Sequence, residues 1–368
     1  MRFGISVPCQ PPFDIAKMIA GVAPDLGFES IWLWDHLLGL WSTEAHKQIG
    51  LGELLPDGDA FYDPYVFATA LGQHYNGTIG TSVTCTTRRH PAVTAQCALS
   101  TQAFIPSGDF ILGVGSGEAA SLVPYGYDFS KPVGRFEESV QILRHFFDSA
   151  EPLTFKGKHF QLDGARMAIR PPEGKGRPQI WGAAHGPRML DICGRYCDGW
   201  LPAFPQTPKE YAERADRIRA AAKEAGRPAP IMAAMFFPVS GESREKVVHD
   251  MDADPLFKSL GLALSDKWLQ KHGGTTHLEP GSRGIVDTVP NNYNLDQLRA
   301  FGATVRAGGF DGGGWPLGNA EELIEFYKGF KEAGCEYLVI FDTTAALYGT
   351  ACLEASVGVL AQVVAGLK

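Results

Sequence analysis

Eight short apolar runs recur along this chain, and helical spacing follows each of them: Arg2–Pro8, Ser30–Trp34, Thr78–Thr84, the run opening at Phe110, Gln179–Ala183, Asp198–Pro202, Ile231–Val239 and Glu336–Phe341. Between them, Asp14–Leu26 sets Ile15, Met18, Ile19, Val22 and Leu26 on one helical face, and Arg135–Phe147 does the same with Phe136, Val140, Leu143 and Phe147. Helix starts are marked at His90-Pro91, His185-Gly-Pro187, Thr207-Pro-Lys-Glu210 and Asn319-Ala-Glu-Glu322. Eight strand–helix repeats are the count of an α/β fold of the (β/α)8 TIM-barrel type. A doubly wound open sheet is the alternative. No domain boundary interrupts the pattern, so residues 1–368 read as one domain with insertions near 37–63, 151–178 and 252–318. The second insertion spells a small hairpin around Lys156-Gly-Lys158.

Composition narrows the function classes. The chain is long enough, at 45% hydrophobic, to bury a large core without disulfide or metal staples. Its net charge of −8 and scattered Lys and Arg give no basic stripe, which sets nucleic acid aside. Seven cysteines without paired spacing fit a reducing compartment, and a cytoplasmic location is expected. Cys193 and Cys197 stand one helical turn apart, but nothing beside them completes a metal site, so no metal is expected. No apolar run reaches the ~20 residues of a membrane span.

Within a barrel, the C-terminal ends of the strands share one mouth, where the chemistry sits. Phe110-Ile-Leu-Gly-Val-Gly-Ser-Gly-Glu118 runs from an apolar strand into three glycines and closes on a carboxylate. Glycines there let backbone approach a ligand closely. As a dinucleotide fingerprint the spacing fails, because the third glycine comes too early. The other strand ends supply Asp35-His36, Ser82 to Thr87, Ala183 to Gly186, and Trp200 to Phe204. An imidazole and a carboxylate facing one pocket make an acid/base pair. Singly, His36 also reads as a partner for loop backbone, and Glu118 as a helix cap. The free N–H groups at His185-Gly-Pro187 suit an anion.

These pieces together resemble the bacterial luciferase-like superfamily, in its branch using the deazaflavin coenzyme F420. The matching segments are Trp34-Asp35-His36, Gly80-Thr-Ser82-Val83, His90-Pro-Ala-Val-Thr-Ala-Gln96, Gly113-Val-Gly-Ser-Gly-Glu118 and Ile180-Trp-Gly-Ala-Ala-His-Gly-Pro187. Pro124-Tyr-Gly126, Lys131-Pro132, Arg135-Phe-Glu-Glu138 and Ala183 to Leu190 look most like phthiodiolone ketoreductases. The resemblance implies that His36 and Glu118 handle protons beside the deazaflavin. It implies that Ser82 and Val83 form a bulge, often with a cis peptide, behind the ring. Asp35, Thr84, Gly115, Ser116 and Gly117 line the ring and its side chain. Ala183, Ala184, His185 and Gly186 cradle the phosphate.

Two departures bear on the substrate. The related sugar-phosphate dehydrogenases grip phosphate with a lysine after strand six, whereas Leu201-Pro-Ala-Phe-Pro-Gln-Thr207 contains no cation. Trp41 lies five residues beyond His36, where those enzymes carry a tryptophan at four. With Leu37, Leu38 and Leu40, and with Trp200, Phe204 and Pro205, Trp41 is expected to rim an apolar mouth. The alternative is that these residues pack the insertions against the barrel. The expected reaction is hydride transfer between F420 and the carbonyl of a bulky lipophilic ketone, with either Glu118 or His36 supplying the proton. The rival is a flavin mononucleotide (FMN) monooxygenase of the same fold. A homodimer is the expected assembly.

Overall fold

The computed structural model describes residues 1–205 and 207–368; Gln206, within the segment compared above with the sugar-phosphate enzymes, lies outside it. All eight apolar runs form strands: β1 (Arg2–Val7), β2 (Ser30–Leu33), β3 (Thr78–Thr81), β4 (Phe110–Gly115), β5 (Gln179–Gly182), β6 (Gly199–Trp200), β7 (Ile231–Phe236) and β8 (Tyr337–Ile340). They lie in the order β3-β2-β1-β8-β7-β6-β5-β4, all parallel, and β4 returns to β3 through Ile79↔Phe110 and Gly80↔Ile111. That closure makes a (β/α)8 barrel and rules out the open sheet. The helices on its outside are α1 (Phe13–Val22), α2 (Pro64–Leu71), α3 (Pro91–Phe104), α4 (Pro132–Asp148), α5 (Pro187–Tyr196), α6 (Pro208–Glu224), α7 (Ala320–Glu332) and α8 (Leu353–Leu367).

The start signals act as their chemistry requires. His90 accepts from the Ala92 N–H through Nδ1 at 3.2 Å, and Pro91 takes the first position of α3, where its missing N–H costs nothing. Asn319 and Glu322 form a reciprocal capping box at α7. At α6 the hydroxyl of Thr207 accepts from the Glu210 N–H at 3.2 Å.

Successive strand residues point to opposite faces, which builds two cores. Ile31 and Leu33 of β2, Met232, Ala234 and Phe236 of β7, and Leu338 and Ile340 of β8 pack outward against the helices. Trp32, Trp34, Ala233, Met235, Tyr337 and Val339 pack toward the axis. There Trp181 lies 5.0 Å from Trp32 and 5.3 Å from Tyr337 between ring centroids. Gly80 is required beside this cluster, because a Cβ on it would sit 2.7 Å from the Trp32 ring. The indoles plug the barrel, so a ligand has only the C-terminal mouth.

Two expectations change. The seventh run breaks after Phe236, since Pro238 has no N–H for the ladder. Val239–Ser240 instead pairs parallel with Leu317–Gly318, which ties the third insertion to the barrel. Residues 350–367, with a mean hydropathy of 1.6, form a helical stretch long and apolar enough to cross a membrane. Here Leu360, Val363, Val364 and Leu367 are buried, and α8 packs on α7. The hairpin of the second insertion forms between Leu153–Lys156 and Gln161–Ala165.

Candidate active site

His36 and Glu118 come together from the ends of β2 and β4, with His36 Nδ1 2.7 Å from Glu118 Oε1. The imidazole is wedged between Trp34 and Phe61, at 5.3 and 5.7 Å between ring centroids. Trp34 is itself fixed by its indole N–H, which donates to Ser6 Oγ at 2.9 Å. Glu118 does not cap the turn that follows it; its Oε1 accepts from the Ser121 hydroxyl at 3.2 Å. Burial alone would lower the His36 pKa, but the Glu118 carboxylate, its hydrogen bond and Asp35 outweigh that and raise it above the ordinary 6.5. Burial would likewise raise Glu118, yet His36, Ser121 and Arg88 hold it below the usual carboxylate value. Each shift favours the charged form of its group, imidazolium beside carboxylate. Because Nδ1 serves Glu118, Nε2–H is the donor left for a ligand.

Asp35 borders the same cleft, but its carboxylate is already engaged. Arg88, with its side chain 6% exposed, bonds Asp35 Oδ1, and Arg89 Nη1 lies 3.3 Å from Oδ2. Asp35 thus acts on the site mainly through charge. The run Thr86-Thr-Arg-Arg89 carried no sequence signal beyond turn residues, yet it supplies both cations. Thr86 also clamps the end of β4, its N–H and hydroxyl both donating to the Gly115 carbonyl at 3.0 Å.

β3 stops at Thr81, the Ser82–Val83 peptide is cis, and pairing resumes at Thr84–Cys85 against Val114–Gly115. This bulge turns Val83 into the cleft opposite Gly115, where a Cβ would lie 2.8 Å from Val83 Cγ2. Ser82 Oγ borders the cleft and is buried without a partner among the described residues. Ser116 and Gly117 continue the wall. Thr84 does not reach it: its hydroxyl meets Tyr65 Oη at 3.1 Å on the helix side. Gly113 serves the barrel and not a ligand, since the Thr81 hydroxyl donates to its carbonyl at 2.9 Å and a Cβ there would collide with β3.

Ala183, His185 and Gly186 line the cleft on the side of α5. Ala184 points away, and its carbonyl accepts the Trp200 indole N–H at 2.8 Å. His185 is exposed at this wall, and the surrounding protein and the Arg214 guanidinium push its pKa down. Arg214 of α6 lines this branch and forms no ion pair among the described residues. It lies seven residues beyond Thr207, about two turns into α6. Periodicity alone gives no sign that it turns toward the mouth.

Of the three aromatics expected at the rim, one is there. Phe204 lines the cleft and stacks at 4.5 Å on both Phe237 and Trp315, held in a left-handed conformation with φ of 53°. Trp200 is 1% exposed, because the alternation that turns Gly199 toward Trp181 sends Trp200 outward to stack on Tyr211 at 4.8 Å. Trp41 is buried with Leu51 and Leu55 under the first insertion. For Trp41 the packing alternative holds, whereas Trp200 packs outward against α6. Two cleft residues had no sequence signal at all: Ile285 and Val286, which reach over the mouth from the glycine-rich third insertion. The walls of the main cleft include Leu40, Val83, Ala203, Phe204, Met235 and Phe237.

A plugged barrel with the His36–Glu118 pair, a bulge and the start of α5 gathered at its open mouth defines a (β/α)8 enzyme-type site. The chain belongs to the luciferase-like monooxygenase family, whose model matches residues 1–337. It is 39% identical over 281 residues to a phthiodiolone/phenolphthiodiolone dimycocerosates ketoreductase of Mycobacterium sp. (strain JLS), covering 74% of this chain and 73% of that one. The protein of that name from Mycobacterium kansasii is 32% identical over 339 residues, covering 90% and 91%. In fold it is similar to an F420-dependent secondary alcohol dehydrogenase solved with an F420-acetone adduct, with a TM-score of 0.76, 19% identity, and coverage of 100% and 99%.

Proposed function

We propose that this chain is an F420-dependent oxidoreductase acting between the deazaflavin and the carbonyl or alcohol carbon of a bulky lipophilic substrate. The observation that carries the reading is the His36–Glu118 ion pair on the wall of an apolar cleft. The names of the relatives at 32–39% identity support a ketoreductase. The site fits the coenzyme at two points. Ser82 Oγ is an orphaned donor beside the Val83 bulge, suited to a polar ring edge. Gly186 at the start of α5, with space for a Cβ, and the unpaired Arg214 suit its phosphate and acidic tail.

When bound, the reduced deazaflavin supplies a hydride and reacts poorly with oxygen. The residues of this chain do the rest. His36 Nε2–H donates to the carbonyl oxygen, polarises it and delivers a proton as negative charge develops there. Glu118 accepts from Nδ1–H throughout and keeps the ring oriented. Phe204, Met235 and Phe237 exclude water from the reacting carbon. In the alcohol-oxidising direction, neutral His36 takes the proton back. The seven cysteines, all free, accord with a cytoplasmic location.

Calorimetry with F420 and with FMN tests the cofactor. Binding of F420 in the micromolar range or tighter, weaker binding of FMN and turnover of hydrophobic ketones without oxygen consumption are expected. Tight FMN binding with none of F420 would instead establish the monooxygenase reading. Turnover of glucose-6-phosphate with long ketones inert would overturn the lipophilic substrate.

A further inference from the structure

The cleft does not end at the reactive pair. Behind it, a narrower passage runs between the Gly39–Leu40 loop and the turn Gly284–Val286, lined by Ala120, Leu262, Ala263 and Pro290. His36, Leu40, Glu118 and Ile285 border both spaces, so the pair stands where they meet. We propose that this passage is the subsite for the alkyl chain of the substrate, an inference that rests on the carbonyl-reduction reading above.

Three observations support it. The branches leaving the pair differ in chemistry. Toward α5 lie His185, Gly186, Ser265, Arg214 and Arg283, a polar and cationic set suited to an anionic tail. The passage offers no charged group beyond His36 and Glu118 at its inner end. Its single other polar side chain, Thr288, is occupied: Oγ1 lies 3.0 Å from the Gly284 carbonyl and 3.1 Å from the Leu262 carbonyl and donates to one of them. The passage is also much the tighter of the two spaces, which favours a slender substituent over a ring. Finally, the passage is braced from within. Glu279 N–H donates to His277 Nδ1 at 2.9 Å, which leaves Nε2–H to donate to the Leu262 carbonyl at 3.1 Å. The buried Asp266 accepts from the His277 and Gly281 N–H groups at 2.9 and 2.7 Å. A carbonyl held by His36 Nε2 can therefore place one substituent in the cleft and a linear one in the passage.

The test uses reduced F420 and 2-alkanones from 2-butanone to 2-undecanone. For wild type, kcat/KM should rise by roughly 4-fold per methylene until the passage is filled, from the transfer free energy of a buried CH₂. Ala120→Phe, which fills the passage from the side of the Ala119–Ser121 turn, should flatten that slope, with F420 binding measured in parallel to show that the fold is intact. Leu262→Ala widens the opposite wall and should shift preference toward branched chains. A flat wild-type series, or a slope that survives Ala120→Phe, overturns the passage while leaving the carbonyl reading standing. A wild type that reduces no ketone overturns that reading and the passage with it.

Discussion

Replacing Glu118 with glutamine keeps the shape of the side chain and removes its charge. In the native site the carboxylate 2.7 Å from Nδ1 is the chief influence opposing burial at His36. A hydrogen bond to a charged group is worth about 1.5–3 kcal/mol, and losing it with the charge lowers the His36 pKa. The sign follows directly. An imidazolium acid is present below its pKa and lost as pH rises through it, so native carbonyl reduction should persist to pH values above 6.5. In the variant that alkaline fall moves to lower pH, and the burial of His36 adds to the displacement. At alkaline pH the lost proton and the lost orientation of the ring together lower the rate roughly 10²–10⁴-fold. Toward about pH 5.5 the deficit should shrink as the ring regains its proton. The assay follows F420 absorbance with a saturating ketone across the pH range, with F420 affinity expected to change little. A variant with the native rate and the native pH profile would show that Glu118 does not set the state of His36.

Two further outcomes test the surroundings of the site. Arg214→Gln should weaken F420 binding by roughly 10-fold, more at low salt than at high, because a half-buried cation facing an anionic tail is screened by ions; unchanged, salt-independent affinity would remove Arg214 from the cradle. Sedimentation should give twice the monomer mass, since Met18 and Val22 on α1, Val66 on α2 and Phe104 on α3 expose apolar side chains on three neighbouring helices, Phe104 at 68% and Val66 at 69%. A monomer at micromolar concentration would leave that face without the expected partner copy.

Most of the barrel was legible because its signals are local. Hydrophobic period, glycine and proline punctuation and capping residues all act within a few positions, and together they marked every strand of the barrel. The acid/base pair was legible for a related reason. A strand end in a parallel barrel has only one place to put its chemistry, so His36 and Glu118 had to share a mouth once the strand count was right. The bulge at Ser82–Val83 was legible through resemblance alone.

What escaped depends on parity and on long-range packing. Trp200 and Phe204 are four residues apart on one strand end, and both looked like rim aromatics. The two-residue period of the strand settles one of them: Gly199 must face the Trp181 ring, so Trp200 must face α6. Phe204 lies past the strand, where no period applies, and its place depends on Phe237 and on Trp315 from an insertion more than a hundred residues away. Ile285 and Val286 are the extreme case. They sit in a run with no periodicity, and long-range contacts such as the ladder of Val239–Ser240 with Leu317–Gly318 and the His277 and Asp266 hydrogen bonds hold the insertion that carries them over the mouth. The cleft residues that come from the insertions are thus held by the contacts that local sequence encodes least, whereas His36 and Glu118 are held by the strands that it encodes best.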